Sequence, residues 1–418
     1  MKKRFAAKAV DVFTGKYGVL LLTLLHMCLA LLIVTLADDW KHLDISYIKT
    51  DFMSRYVLDF RVGHVSRALI GSILYLFTKK LTLRMVSTML IVIVMIVTAL
   101  FALLQALLAN KALRTKDYST LLLSYLFFLN VVFWCDTYYF FGLLDNFLIL
   151  LLQIWLLCTE RNRTLGFWLA PIVCFIGLLI HTAFFSVCVP VMGAVLWFEL
   201  LRNEKPGRVK IVLFALTCIL AAGLFVYFSI FAQNAVRIDA DTLLQMTRAK
   251  YDGEMDENYF LFYLYQNTAG YSADSPIDFL KTMHSFVSFN SAATRRNFLN
   301  AAPPTVLFFC GCVYHAKKHG GRKLAYLGMV APLVALFPNL NISTDEIRFF
   351  SMFLTTEYML LQYIASQTEG FFLPCMDSPP SVKMSAYALN RRRKRISVVI
   401  AAAAVLGAVY IVRGFFIL

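Results

Sequence analysis

Residues 84–109, RMVSTMLIVIVMIVTALFALLQALLA, decide the fold class, because no charged residue follows Arg84 in this stretch. A helix of about 20 apolar residues is enough to cross the hydrocarbon core of a bilayer. The whole 418-residue chain is similar in character, with 60% hydrophobic and only 16% charged residues. In lipid, each such segment satisfies its own backbone hydrogen bonds as a helix. The sequence therefore predicts an all-α, polytopic transmembrane helix bundle.

Apolar stretches separated by short polar connections predict about eleven spans. They are 17–37, 84–109, 118–135, 139–158, 165–182, 183–200, 210–232, 302–316, 322–339, 349–366 and 397–416. Segment 64–81 is not among them, because its apolar run from Ala68 to Phe77 is too short to cross. We expect it to form an amphipathic helix that lies on the outer surface.

Basic residues set the orientation of the bundle, since cytoplasmic connections are enriched in Lys and Arg. If 64–81 does not cross, the basic clusters fall on the cytoplasmic side together with the N-terminus. These clusters are 2–16, 111–116, 161–163, 202–210, 317–323 and 383–395. The net charge of +15 then serves mainly to anchor the protein to anionic head groups. It gives no reason to expect nucleic-acid binding.

The same topology predicts the domain organisation. Residues 1–366 form a transmembrane catalytic bundle that includes two outer loops, 38–83 and 233–301. The longer loop is the only predicted extramembrane region large enough to form a lid. A cytoplasmic basic linker, 367–396, leads to a C-terminal transmembrane helix, 397–418. No nucleotide-binding glycine motif, catalytic-triad signature or cysteine spacing for a metal is present.

Four carboxylates near predicted span ends are candidate catalytic residues. Asp38 and Asp39 directly follow the first span, where they can bind a divalent cation or act as a base. The alternative is a solvated helix end with Trp40 as an interfacial anchor. Asp136 can be a simple turn residue. Asp145 falls inside a predicted span, where an ionisable group is costly and usually functional.

Basic residues at the same face are candidates for binding a phosphate. Arg61 and Arg67 lie in segment 51–67, which also contains Gly63, a residue that allows close approach of a ligand. Arginine suits bidentate capture of phosphate at a lipid–water boundary. The alternative is a basic helix face that only touches lipid head groups.

Two further elements lie at the predicted outer boundary. His181 stands where two short spans meet, and it is either a packing residue or part of a substrate site. Arg348 follows Asp345 by three residues, one helical turn. It can therefore hold that carboxylate in a structural ion pair or reach a phosphate.

With these residues the chain resembles the GT-C superfamily of integral-membrane glycosyltransferases and, more loosely, the Wzy- and EpsG-like polysaccharide polymerases. The resemblance rests on Asp38, Asp39, Asp136, Asp145 and the Asp345-x-x-Arg348 element, together with the outer helix after the first span. It implies a multi-pass protein of the bacterial plasma membrane with a cytoplasmic N-terminus and a site that faces outside.

The resemblance also implies a reaction. Sugar would pass from a polyprenyl-phosphate-linked donor to a glycan or other acceptor in surface polysaccharide or glycoconjugate synthesis. Asp38 or Asp39 would be the base, and Arg61, Arg67 or Arg348 would stabilise the departing phosphate. A divalent cation, Mg²⁺ or Mn²⁺, is compatible with this chemistry. The rival hypotheses are a flippase or transporter for a lipid-linked substrate and a non-catalytic subunit of an envelope assembly complex.

Overall fold

A computed structural model describes residues 11–36, 50–61, 67–139, 141–201, 207–228, 240–253, 292–318, 327–333 and 346–367. The described chain is mainly helical, which confirms the all-α prediction. The principal helices are α1 (Gly18–Leu36), α2 (Thr50–Val57), α3 (Ala68–Phe77), α4 (Leu83–Thr115), α5 (Tyr118–Phe128), α6 (Val131–Tyr138), α7 (Asp145–Arg161), α8 (Arg163–Ile180), α9 (Ala183–Leu201), α10 (Arg208–Val226), α11 (Ala240–Lys250), α12 (Ala292–Lys318) and α13 (Glu346–Gln367). Two short strands, β1 (Leu81–Thr82) and β2 (Tyr251–Asp252), pair in parallel.

Five of the described helices are long and apolar enough to cross a membrane by length and composition: α1, α4, α8, α9 and α10. They define a multi-pass membrane protein, but they do not establish the eleven predicted spans. Of the other predicted spans, 302–316 lies within α12, and 349–366 lies within α13, which is more polar than the five candidate spans. The described part of 322–339 is residues 327–333, whereas 397–416 lies outside the described residues.

The prediction of one continuous span over 118–135 is wrong, because Asn130 divides it into α5 and α6. The Asn130 side chain caps α6 by accepting the Val132 N–H at 2.9 Å. Its Nδ2 donates to the Asn300 carbonyl on α12 at 2.9 Å. Likewise, the predicted span 139–158 is displaced, because the helix begins only at Asp145.

Helix α13 forms the centre of the bundle. It packs against α4, α5, α6, α7, α9 and α12, and residues 350–365 are all buried. At its C-terminal end, Lys111 of α4 donates to the carbonyls of Ala365 and Ser366. Arg163 of α8 donates to Gln367. The basic residues that the sequence assigns to one face therefore gather around this end of α13.

Helix α3 lies at the opposite end of the bundle. The Arg67 N–H, just before α3, donates to the Leu179 carbonyl at the C-terminal end of α8, at 3.0 Å. With only ten residues, α3 does not cross the bundle. Its exposed side chains include Ile73, Leu76 and Phe77. The exposed side of α3 is thus apolar, whereas the sequence analysis predicted an amphipathic helix.

Candidate functional site

A buried ion pair joins two helix N-termini at the end of the bundle where α3 lies. Arg348 in the first turn of α13 donates from Nε to Asp145 Oδ2 at 2.5 Å and from Nη2 to Oδ1 at 2.7 Å. The Asp145 side chain is fully buried. As the first residue of α7, its carboxylate is also favoured by the positive end of that helix dipole. The pair fixes the guanidinium in a single orientation.

His181 caps the adjoining helix. Its Nδ1 accepts the Ala183 N–H at 2.8 Å at the start of α9. An acceptor nitrogen carries no proton, so the neutral ring holds its proton on Nε2. The side chain is buried, and the ring presents a single N–H donor.

Two more arginines, both in the segment that precedes α4, act on His181 through their charge. Arg55 is buried in the last turn of α2. Its neighbour Tyr56 donates to the Gly142 carbonyl at 2.8 Å, which holds α2 against the turn before α7. Arg67 precedes α3 with a φ of 76°. A left-handed conformation costs energy in a residue with a side chain, and such strain often occurs at functional sites.

These residues form one electrostatic unit, the arginine cluster: Arg55, Arg67, Asp145, His181 and Arg348. Burial lowers the pKa of His181 well below its usual 6.5, and the positive charges of Arg67, Arg348 and Arg55 lower it further. The ring therefore stays neutral at physiological pH. The cluster combines guanidinium groups with a neutral N–H donor, a set suited to holding phosphate oxygens.

Arg61 belongs to a separate cluster that attaches α11 to the segment after α2. We call it the Asp59 cluster: Asp59, Arg61, Tyr75 and Lys250. The Arg61 guanidinium donates to both Asp59 carboxylate oxygens and lies 3.9 Å from the Tyr75 ring centroid. Lys250 Nζ, at the end of α11, donates to Asp59 Oδ2 at 2.9 Å and to the Val57 carbonyl at 2.9 Å.

Two cations, Arg61 and Lys250, share the single carboxylate of the Asp59 cluster. Burial acts to raise the pKa of Asp59, but the hydrogen bonds from Arg61 and Lys250 outweigh it and lower the pKa below the usual 3.8. Lys250 Nζ also donates to the Gly71 carbonyl at 3.2 Å. A Cβ on Gly71 would lie 1.8 Å from the Leu58 carbonyl oxygen, so only glycine allows α3 to approach this closely.

The predicted site residues fall into three groups. Asp145, His181, Arg67 and Arg348 come together, although they are far apart in sequence. Arg61 lies in the Asp59 cluster instead. Asp136 lies in α6, but its side chain is not among those described, and three of the predicted residues lie outside the described ranges: Asp38, Asp39 and Asp345.

Sequence reasoning did not select four members of these clusters: Arg55, Asp59, Tyr75 and Lys250. Arg55 lies in the same arginine-rich segment as Arg61 and Arg67, and helical spacing on α2 was the available signal. Lys250 had no signal, because its partner Asp59 is 191 residues away. Within the described ranges, no group of three His, Cys, Asp or Glu side chains can hold a metal ion. The divalent cation therefore stays a prediction.

Fold and site together define a multi-pass helical membrane protein with an arginine cluster at one end of its bundle. Comparison with known proteins adds no relative: no family model, curated protein or solved structure matches the chain.

Proposed function

We propose that the chain is a membrane glycosyltransferase of the GT-C type. In this proposal it transfers sugar from a polyprenyl-phosphate-linked donor to an acceptor at the outer face of a bacterial plasma membrane. The observation that carries the proposal is the arginine cluster, in which the positive charges of Arg55, Arg67 and Arg348 all act on the buried, neutral His181. A lipid-linked sugar has its phosphate at head-group level and its tail in the bilayer, which suits a site at one end of a helix bundle.

The chemistry assigns different roles to the members of the cluster. In glycosyl transfer from a lipid phosphate, the bond between the anomeric carbon and the phosphate oxygen breaks, and negative charge grows on the departing phosphate. Arg67 and Arg55 would stabilise that charge, and the His181 Nε2–H would donate to it. Asp145 is engaged by Arg348 through two hydrogen bonds. Its role is therefore to position Arg348 rather than to accept a proton.

The base that deprotonates the acceptor hydroxyl is sought among the other predicted carboxylates. Asp38 or Asp39 fills this role in our proposal, because both follow α1 directly in the sequence. An Asp39→Asn variant should slow transfer, whereas Asp59→Asn should perturb only the attachment of α11. Equal transfer rates for wild type, Asp38→Asn and Asp39→Asn would remove both carboxylates from the mechanism.

One observation favours the rival flippase or transporter. Helix α13 carries buried polar side chains along most of its length: Arg348, Ser351, Thr355, Glu357, Tyr358 and Gln362. A transport path needs polar groups at mid-membrane depth. Several of these side chains are engaged within the bundle, however. Ser351 donates to the Phe133 carbonyl, and Tyr358 donates to Gln105.

A single set of assays distinguishes the glycosyltransferase from the flippase. Purified protein in detergent is given a polyprenyl-phosphate-linked sugar and an acceptor glycan, without vesicles or a gradient. Turnover under these conditions supports the enzyme. Movement of the lipid-linked sugar across proteoliposomes without glycan formation supports the flippase. If no polyprenyl lipid co-purifies and neither activity is found, the assembly subunit becomes the better hypothesis.

A further inference from the structure

Glu357 is an ionisable group in the interior of the bundle that the proposed function does not use. It lies near the middle of α13, nine residues after Arg348, and its residue exposure is 0%. At a rise of about 1.5 Å per residue, this places it about 14 Å along the helix from the arginine cluster. Glu357 therefore forms a site of its own.

The carboxyl group of Glu357 is only partly satisfied within the described chain. Thr305 of α12 donates to Oε2 at 2.8 Å, but Oε1 is buried and has no hydrogen-bond partner. No cation balances the group there either. Burial of an uncompensated carboxylate costs several kcal/mol, whereas a neutral carboxylic acid is far cheaper to bury.

Among the side chains that the structure describes, no titratable group on the helices packed against α13 supplies a counter-charge to Glu357. These groups include Cys312 on α12, Tyr125 on α5, Tyr138 on α6, Asp145 and Glu160 on α7, Glu199 on α9 and Lys111 on α4; Glu160 lies near Ser366 at the far end of α13. Asp145 is matched by Arg348, and Glu199 is matched by Arg163 at 3.4 Å and by the Tyr363 hydroxyl. Lys111 is engaged at the far end of α13. Of these groups, the Cys312 thiol interacts electrostatically with Glu357.

Helix α12 is continuous, but its backbone hydrogen bonding is broken at the point of contact with Glu357. Pro303 and Pro304 lie inside α12 directly before Thr305. Proline lacks the N–H that would bond to the carbonyl four residues earlier, so Pro304 frees the Asn300 carbonyl. That carbonyl accepts the Asn130 Nδ2 instead. A proline break makes this part of α12 a place where the helix can bend.

We propose that Glu357 is an interior proton-binding site whose protonation keeps α12 packed on α13. The bound proton converts the carboxylate into a neutral acid that Thr305 can hydrogen-bond. Loss of the proton leaves a buried negative charge next to the proline break. Separation of α12 from α13, which admits water, is then the available relief. This inference is independent of the proposed sugar transfer.

The thiol pair on α12 provides the test. Cys312 is buried beside Glu357, whereas Cys310, two residues away, is exposed and reports thiol ionisation alone. Full-length protein in detergent is treated with a small membrane-permeable maleimide at pH 6 and at pH 9, and modification of each cysteine is quantified by peptide mass spectrometry. We expect the Cys312-to-Cys310 rate ratio to rise severalfold with pH in wild type and to stay constant in Glu357→Gln. The same rise in both proteins would overturn the proposal.

Thermal unfolding shows whether the Glu357→Gln variant is folded. Glutamine reproduces the shape and the neutrality of the protonated acid, so Glu357→Gln should melt within about 1 °C of wild type at pH 6. Glu199→Gln is the matched control, because Glu199 is buried but paired with Arg163. This control should melt lower than wild type. A large loss of stability in Glu357→Gln at both pH values would mean that an ionised carboxylate is required and would contradict the proposal.

Discussion

The ion pair between Asp145 and Arg348 supports the sharpest prediction about stability. Arg348→Ala removes both charge-assisted hydrogen bonds to a carboxylate whose side chain is 0% exposed. The carboxylate is then left buried without a counter-charge, and such a loss typically costs about 3–5 kcal/mol. We therefore expect the free energy of unfolding of Arg348→Ala to fall by that amount.

A double variant distinguishes loss of the ion pair from a general disruption of the site. Asp145→Asn in the Arg348→Ala background removes the stranded charge, so the two changes together should cost less than the sum of their separate costs. Coupling between contacting residues is usually about 0.5–3 kcal/mol, and this pair should lie toward the upper end because it is buried and bidentate. The double variant should regain stability without regaining transfer activity.

Unfolding of the purified variants in detergent, followed by intrinsic fluorescence or differential scanning fluorimetry, measures these quantities. Arg84→Ala is the matched control, because Arg84 is exposed at the start of α4. It should change stability by no more than about 0.5 kcal/mol. Additive effects in the double variant, or an Arg348→Ala protein as stable as the control, would refute the assignment of this pair as a buried structural contact.

Three further predictions follow from individual contacts. His181→Asn keeps an oxygen that can accept the Ala183 N–H, but it cannot titrate. Because burial lowers the pKa of His181 in the folded protein, the unfolded chain binds more protons than the folded one below pH 6.5. The free energy of unfolding of wild type should therefore fall by up to about 1.4 kcal/mol for each pH unit as the pH decreases below 6.5. The variant should lose that contribution to the slope, and an unchanged slope would be evidence against a neutral buried ring. Lys250→Met should release α11, so that trypsin cleaves after the exposed Arg248 faster than in wild type; unchanged cleavage would argue against attachment through Lys250. Asn130→Ala should cost about 1–3 kcal/mol, because it removes the α6 cap and strands a carbonyl on α12; a melting curve that matches wild type would contradict this account of the break.

The sequence predicted the class of fold because the relevant signals are local. Apolar runs of sufficient length mark helices such as α4, and the short run from 68 to 77 corresponds to the ten-residue helix α3. The division of 118–135 into two helices at Asn130 was not predicted, because a single polar residue within an apolar stretch gives little indication that it caps a new helix. The apolar exposed side of α3 was not predicted either, because the charged residues of segment 51–67 precede the helix.

Tertiary partners were beyond local reasoning. Spacing along one helix suggested that Arg348 either holds Asp345 or reaches a phosphate, whereas the described contact is an ion pair with Asp145, 203 residues away. Asp145 and Arg348 were nonetheless both selected from sequence, because ionisable residues near membrane boundaries are costly and therefore informative. Glu357 was missed, since composition does not reveal which carboxylate in a helix faces the interior and lacks a cation.

The central claim is that the arginine cluster stabilises a lipid-linked phosphate during sugar transfer. Its most direct test compares initial transfer rates of purified wild type, Arg67→Gln and the exposed control Arg84→Gln with a polyprenyl-phosphate-linked sugar in detergent, after each variant is shown to melt like wild type. The account predicts a loss of about 100-fold or more for Arg67→Gln, the usual effect of losing one preorganised donor to a developing negative charge, and no loss for Arg84→Gln. Equal rates in all three proteins would contradict it.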